Sequence, residues 1–151
     1  DIRFLFTANR HMPPQPIERV ASGGEMSRLM LSLKAIVAHH SQLPTIIFDE
    51  IDTGVSGSIA DRMGEIISRL SDDLQVVNIT HLPQIASMAD CHFEIKKSTD
   101  GASTKTRITR LKEDEAVTEL ARLLGGAQIT DAVLQNAREM KELAWQTKTH
   151  N

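Results

Sequence analysis

The segment from residue 45 to residue 81 constrains the fold of this chain more than any other part. Thr45-Ile46-Ile47-Phe48 is a short apolar run, typical of a buried parallel strand, and it ends in Asp49-Glu50. Apolar residues at helical spacing follow over Ser56–Leu70, and Leu74–Thr80, rich in Val and Ile, predicts a second strand. Strand, helix and strand in this order form a βαβ unit with parallel neighbouring strands. We therefore predict an α/β fold with a parallel sheet core and flanking helices.

The two predicted strands bring their carboxyl ends to the same edge of the sheet. Asp49 and Glu50 follow the first strand and His81 follows the second, so the three should line one crevice, where open α/β sheets bind ligands. Adjacent carboxylates there suit Mg²⁺-nucleotide chemistry, in which one holds the metal and the other polarises the attacking water. A solvated acidic turn is the alternative for the carboxylates, and a structural role is the alternative for His81.

A longer helix is predicted over Ser22–His40. Ser22 and Glu25 form a capping box at its start, which leaves Gly23 and Gly24 unexplained, because a glycine inside a helix costs about 1 kcal/mol relative to alanine. Backbone N–H groups without side chains at a helix N-terminus also suit an anion, so a phosphate site is the second interpretation. The helix is predicted from an apolar stripe at amphipathic spacing, which consists of Met26, Leu29, Met30, Leu33, Ile36 and Val37.

The remaining elements follow from the same periodicities and from turn residues. They are a strand over Ile2–Thr7, an extended connector over Met12–Pro16, a helical piece around Gln84–Met88, a hairpin of His92–Lys97 and Thr104–Leu111 with its turn at Ser98–Gly101, and helices over Glu113–Leu124 and Thr130–Trp145. Gly125-Gly126 is the expected C-cap of the first of these helices, and Thr130 the N-cap of the second.

Composition excludes several classes of function. The 151 residues carry a net charge of −3, so there is no global attraction to nucleic acid, and the aromatic fraction of 3% argues against base-stacking modules. No apolar run approaches the length of a membrane span. The single cysteine, Cys91, permits no internal disulfide and lies in no zinc-finger spacing, which fits a reducing compartment.

Basic residues concentrate in the predicted hairpin. Protection of an edge strand by charge is the favoured interpretation, and direct contact with DNA phosphates is the alternative. These residues are Lys96, Lys97, Lys105, Arg107, Arg110 and Lys112.

Four segments match a known set of motifs in both order and spacing: Ala21–Arg28, Thr45–Glu50, Asp52–Gly57 and His81. In this order they resemble the signature motif, the Walker B strand, the D-loop and the switch histidine of ABC-type ATPases. The signature is in the variant of the structural-maintenance-of-chromosomes (SMC) branch. Thr80–Gln84 and Leu120–Gly126 also look like parts of that branch, while Asn9-Arg10-His11 replaces a usual proline-glycine turn.

The resemblance implies ATP and Mg²⁺ as cofactors and assigns a role to each matched residue. Glu50 and His81 would be catalytic, and Asp49 would hold Mg²⁺, through water. The signature residues expected to contact the ATP of a partner head are Ser22, Gly23, Gly24 and Glu25. The D-loop residues expected at the nucleotide are Asp52 and Gly54.

What the chain lacks also fits the resemblance. No glycine is followed by lysine, so there is no Walker A loop. The family places that loop in an N-terminal lobe, separated from the signature by a long coiled coil. Residues 1–151 would then be the C-terminal lobe of a bipartite P-loop NTPase head, and Asp1 leads straight into a strand as in an excised fragment. The implied partners are the Walker A lobe and a second head in an ATP-dependent homodimer, and the chain alone is expected to be inactive.

At the level of the whole protein, the resemblance implies recombinational repair of DNA double-strand breaks. DNA would be contacted through the full-length protein, in the cytoplasm at the nucleoid, with no membrane partner. A transporter nucleotide-binding domain is disfavoured, because Glu25 replaces the usual glutamine and no transporter-type D-loop follows Glu50. A non-catalytic association module is the third hypothesis, and the presence of Asp49, Glu50 and His81 argues against it.

Overall fold

A computed structural model describes residues 3–7, 9–41, 43–100 and 103–149. The elements in chain order are β1 Leu5–Phe6, β2 Gln15–Pro16, α1 Ile17–Val20, α2 Gly23–Ser41, β3 Thr45–Asp49, α3 Ser58–Leu70, β4 Gln75–Ile79, α4 Pro83–Ser87, β5 Phe93–Asp100, β6 Ser103–Arg110, α5 Glu113–Gly125 and α6 Asp131–Thr149. In these residues the strands form three two-stranded sheets. None of the helices described is long and apolar enough to cross a membrane.

The predicted βαβ unit is confirmed. Strands β3 and β4 pair in parallel, in a register that runs from Thr45 opposite Gln75 to Asp49 opposite Ile79, and α3 connects them. One face of this sheet is buried, with Phe48 fully enclosed. The core on that face is formed by Leu31, Phe48, Ile51, Val55, Ala60, Met63, Ile67 and Ile85. The unit therefore holds the carboxyl ends of both strands at one rigid edge.

Helix α2 forms as predicted, but its buried residues do not lie on the apolar stripe. The buried residues of α2 are Gly24, Leu31 and Ala38, spaced seven apart on the opposite side of the helix. The predicted apolar stripe is largely exposed, with Ile36 57% and Val37 55% accessible. Among the described residues of α2, Leu31 is the one whose side chain belongs to the βαβ core. The Lys34 ammonium lies 5.7 Å from the centre of the Phe48 ring. The hydrophobic periodicity predicts the helix, but it does not show which other segment packs against the apolar stripe.

The second face of the β3–β4 sheet is also uncovered. Ile47 and Val77 are direct partners across the strands and Ile79 lies two residues further, so the three side chains share one face. All are exposed, Ile47 by 60%. Helix α2 and the β3–β4 sheet therefore present two apolar surfaces: the outer stripe of α2 (Met30, Leu33, Ile36, Val37) and the outer sheet face (Ile47, Val77, Ile79).

The predicted hairpin is confirmed as antiparallel strands β5 and β6, paired from Phe93 opposite Arg110 to Asp100 opposite Ser103. β5 is longer than predicted, because residues 98–100, predicted as part of the turn, continue the strand. β6 has the predicted length but begins and ends one residue earlier, and residues 101–102 lie outside those described. Alternation places Phe93, Ile95 and Ile108 on one face and Lys96, Lys105 and Arg107 on the other. The Lys96 ammonium lies 2.9 Å from Glu94 Oε1. The two interpretations of the basic residues both remain predictions.

The N-terminal strand is shorter than predicted. Its observed residues, Leu5–Phe6, pair with Gln15–Pro16 inside the expected connector, and Ile2 lies outside the described residues. The brief helix α1 had no periodicity to predict it, because four residues make only one turn.

Helices α5 and α6 pack together around Leu120, Ala121 and Ala137. Both predicted caps are confirmed. Gly126 ends α5 at a φ of 69°, and the Thr130 hydroxyl accepts a bond from the Val133 N–H at 3.3 Å.

Stability near pH 6 should depend on His92, which precedes β5. Burial and the nearby Lys141 ammonium hold the pKa of His92 below its ordinary 6.5, so the unfolded chain binds this proton more readily. The folded state therefore loses stability as the pH falls below about 6.5 toward the lowered value. We expect the melting temperature to fall less between about pH 7.5 and pH 5.5 in His92→Gln. An unchanged slope in His92→Gln would contradict the prediction.

Candidate functional site

The three predicted chemical residues of the βαβ unit lie at one sheet edge. Asp49 ends β3 opposite Ile79, and the Glu50 backbone N–H donates to the Ile79 carbonyl oxygen at 3.2 Å. His81 follows two residues later, and the side chains of Asp49, Glu50 and His81 are exposed. Parallel pairing thus places two carboxylates and an imidazole at neighbouring strand ends, on the solvent side of the edge.

Glu50 has an uncommon backbone conformation. Its φ is 47°, in the left-handed region that residues with a Cβ rarely adopt, and no other non-glycine residue described shares this feature. Thr53 supports the turn, since its N–H and its hydroxyl donate to the Glu50 carbonyl oxygen at 3.3 Å and 2.9 Å. Strain of this kind persists where the surroundings enforce it, often at functional sites. The turn fixes the direction in which the Glu50 carboxylate leaves the strand.

The capping box at the start of α2 is confirmed. Glu25 Oε2 accepts from the Ser22 backbone N–H at 2.7 Å and from the Ser22 hydroxyl at 2.8 Å, and the Glu25 N–H donates to Ser22 Oγ at 3.3 Å. The Ser22 donors, the backbone N–H first, lower the pKa of Glu25, with a smaller contribution from Arg28. Both side chains that were candidates for phosphate contact are therefore engaged with each other in the free chain.

The two glycines of this turn have different surroundings. A Cβ added to Gly24 would lie 2.7 Å from the carbonyl oxygen of Gly54, whose own φ is 74°. Gly23 has no neighbour within 4 Å of the corresponding position. Gly24 is therefore explained by close packing of the start of α2 against the loop after Glu50. In the same contact, the Ser27 hydroxyl donates a hydrogen bond to the Thr53 carbonyl oxygen at 3.4 Å. Gly23 is the position left open to a ligand.

Asp52, a D-loop residue expected at the nucleotide, is buried. Its side chain is 1% exposed and accepts a hydrogen bond from the Thr80 hydroxyl at Oδ2. The same oxygen lies 3.9 Å from Nδ1 of His81, whose side chain is 67% exposed. Sequence reasoning missed Thr80 and Thr53. The only available signal was a hydroxyl residue beside the histidine and another just after the acidic pair.

A large cleft, of about 980 Å³, lies elsewhere, between the base of the hairpin and helices α5 and α6. Its walls mix both charges, for example Arg138 and Lys141 with Glu113 and Glu142, and it includes the exposed Trp145. Because these charges offset one another, the cleft is not a focused anion site. No group of metal-binding side chains occurs within the residues described, so Asp49 has no ready-made set of protein ligands.

No protein-family model matches the chain. In structure, it is similar to a chain solved in work on ATP-driven dimerization and DNA-stimulated activation of SMC ATPases. The TM-score is 0.59 and the identity 21%, over 78% of this chain and 70% of that one. The fold is therefore that of SMC ATPase heads, and the predicted α/β fold class is confirmed.

In sequence, the whole length of this chain matches part of the DNA repair protein RecN. RecN of Halalkalibacterium halodurans is 42% identical over 151 residues, all of this chain and 27% of the relative. RecN of Bacillus subtilis is 43% identical over 148 residues, 98% of this chain and 26% of the relative. The chain thus spans about a quarter of the length of the relatives it matches.

Proposed function

We propose that the chain is the C-terminal lobe of an SMC-like ATPase head that acts in recombinational repair of DNA double-strand breaks. It would supply the signature motif, Walker B carboxylates, D-loop and switch histidine for ATP-driven pairing of two heads and for hydrolysis. The observation that carries the proposal is the meeting of Asp49, Glu50 and His81 at one parallel sheet edge. The match to a DNA repair protein supports the cellular role, and the proposed location is the cytoplasm, at DNA.

In this proposal each residue has one task. Asp49 would hold Mg²⁺ through water, and that ion would neutralise charge on the nucleotide phosphates. Glu50 polarises the attacking water, and His81 contacts the reacting phosphate. Ser22, Gly23 and Gly24 at the start of α2 face the γ-phosphate held by the partner head, where a helix N-terminus favours an anion.

The two uncovered apolar surfaces support a missing lobe. The outer stripe of α2 and the outer sheet face together expose several large aliphatic side chains, of which Ile36, Ile47 and Val37 are more than half accessible. Contiguous exposed apolar area usually marks an interface in a soluble protein. The relatives are about four times as long as this chain, so a further lobe of the same protein is the proposed cover. That lobe would bring the Walker A loop.

The proposal is tested by restoring that lobe. Residues 1–151 alone should show no micromolar binding of Mg·ATP by calorimetry, because most phosphate contacts in such sites come from the Walker A backbone and lysine. Co-expression with the Walker A segment of the parent gene should produce a complex that binds and hydrolyses ATP. Tight ATP binding by the chain alone, or a stable complex without turnover, would contradict the proposal.

Substitutions of Ser22 can distinguish its role as a helix cap from a role in contacting the γ-phosphate. Asparagine caps a helix about as well as serine, so Ser22→Asn should leave the melting temperature close to the wild-type value. Its larger amide should obstruct an approaching γ-phosphate, and we expect loss of ATP turnover in the assembled head. Ser22→Ala is the comparison, because it removes the helix cap, lowers the free energy of unfolding by about 1 kcal/mol and adds no bulk. Unchanged turnover in Ser22→Asn would restrict Ser22 to its structural role.

A further inference from the structure

Asp52 is a carboxylate held inside the protein, directly behind the exposed sheet edge. Its side chain is 1% exposed, and buried carboxylates are normally fully paired because they have lost contact with water. Oδ2 accepts from the Thr80 hydroxyl, but Oδ1 is buried without a hydrogen-bond partner in the residues described. The carboxylate thus has accepting capacity left for one more donor.

His81 is the donor within reach. Its Nδ1 lies 3.9 Å from Asp52 Oδ2, the oxygen that already accepts from Thr80, so a movement of about 1 Å would bring the ring within hydrogen-bond distance of the carboxylate. Thr80 restrains the same segment from the other side, since its hydroxyl also accepts from the Leu82 backbone N–H at 3.0 Å. The Thr80 hydroxyl therefore links Asp52 to the residues on both sides of His81, while the His81 ring itself stays largely exposed.

We propose that Asp52 positions His81 by accepting a hydrogen bond from its Nδ1–H. The bond would select one tautomer and one ring orientation, leaving Nε2 for the ligand. Its catalytic consequence rests on the proposed ATPase function. Asp52 is then a positioning residue: with its carboxylate buried, it acts on the nucleotide through His81 and does not touch it.

The structure also connects this pair to the rest of the site. The Val55 backbone N–H donates to the Asp52 carbonyl oxygen at 3.1 Å, within the turn that also carries Glu50 and Thr53. Asp52 thus joins the loop after β3 to the segment after β4 through side-chain contacts. A shift of the loop when a second head docks would reach His81 by this route.

The first test measures the tautomer of His81 in the 151-residue chain, without nucleotide. Ring ¹⁵N chemical shifts at about pH 8, where histidine is mostly neutral, distinguish Nδ1–H from Nε2–H. We expect Nδ1–H to dominate for His81 in the wild type and the population to move toward Nε2–H in Asp52→Asn. The His81 signal is assigned by its loss in His81→Gln. Asp61→Asn, an exposed carboxylate change in α3, is the control and should leave the tautomer unmoved.

A second pair of variants guards against misfolding of Asp52→Asn. Thr80→Val removes the hydroxyl that holds Oδ2 and should shift the tautomer in the same direction. Thr80→Ser keeps the hydroxyl and should restore the wild-type population. An unchanged tautomer in folded Asp52→Asn or in folded Thr80→Val overturns the proposal, whatever the enzyme does.

The assembled head then tests the consequence for turnover. Loss of a residue that orients a functional histidine typically costs 10–100-fold, so we expect kcat for ATP to fall about 10–100-fold in Asp52→Asn with KM little changed. Thr80→Ser should stay near wild type. A shifted tautomer with unchanged kcat overturns the catalytic part. Failure of the wild-type head to hydrolyse ATP would refute the proposed function, while the tautomer result still decides the positioning.

Discussion

Glu50→Gln in the assembled head should retain ATP binding and lose hydrolysis by about 10²–10⁴-fold, the usual cost of removing one general base. Glutamine keeps the shape of the side chain but cannot polarise the attacking water as a carboxylate does. The phosphate contacts and the Asp49 carboxylate remain, so two heads joined by ATP should stay joined. Light scattering would show a persistent ATP-dependent dimer, and a phosphate-release assay would show the loss of turnover.

Asp49→Asn is the matched comparison, one residue away at the same strand end. It should weaken Mg²⁺ binding and prevent the joined state from forming, because the site loses the charge that holds the ion. The two variants therefore differ in dimer population although both lose hydrolysis. Identical behaviour of the pair, or rapid hydrolysis by Glu50→Gln, would remove Glu50 from the catalytic role.

Gly24→Ala and Gly23→Ala should separate packing from ligand contact at adjacent positions. The methyl group at Gly24 would approach the Gly54 carbonyl oxygen to 2.7 Å, so we expect a loss of about 1–3 kcal/mol in the free energy of unfolding. The methyl group at Gly23 meets nothing within 4 Å, and alanine is the better helix former, so stability should be kept or raised by up to about 1 kcal/mol. Urea unfolding of the 151-residue chain measures both.

The functional result should run the other way for Gly23. A methyl group in the open space at the start of α2 would obstruct close approach of a phosphate, so Gly23→Ala should reduce ATP-dependent head pairing despite normal stability. Full pairing and turnover in Gly23→Ala would mean that this glycine has no ligand to accommodate. Equal stability in the two variants would show that the contact between Gly24 and Gly54 can relax.

The βαβ unit could be predicted because its signals are local. Apolar runs of strand length, a helical stripe between them and polar residues at both strand ends were sufficient to place Asp49, Glu50 and His81 at one edge. The caps at Ser22, Gly126 and Thr130 were equally local, since each depends on a few consecutive residues.

Other features depend on contacts between distant segments and could not be predicted. The reason for Gly24 lies 30 residues away at Gly54, and the burial of Asp52 depends on Thr80. The buried positions of α2, Gly24, Leu31 and Ala38, also had no sequence signal, because an apolar stripe predicts a helix without showing which segment packs against it. The positive φ of Glu50 had no sequence signal, since glutamate is not a residue that prefers this conformation.

The two bare apolar surfaces also bear on how such a protein must be produced. A free lobe of this kind would be prone to self-association, because nothing in its own described residues shields these side chains. If the covering lobe is encoded in the same gene, both lobes are synthesised in equal number and as parts of one polypeptide. The half synthesised first then waits only for the remainder of its own polypeptide. A mutation that truncates the protein between the two lobes would produce an aggregation-prone fragment, which chaperones would bind and proteases would degrade.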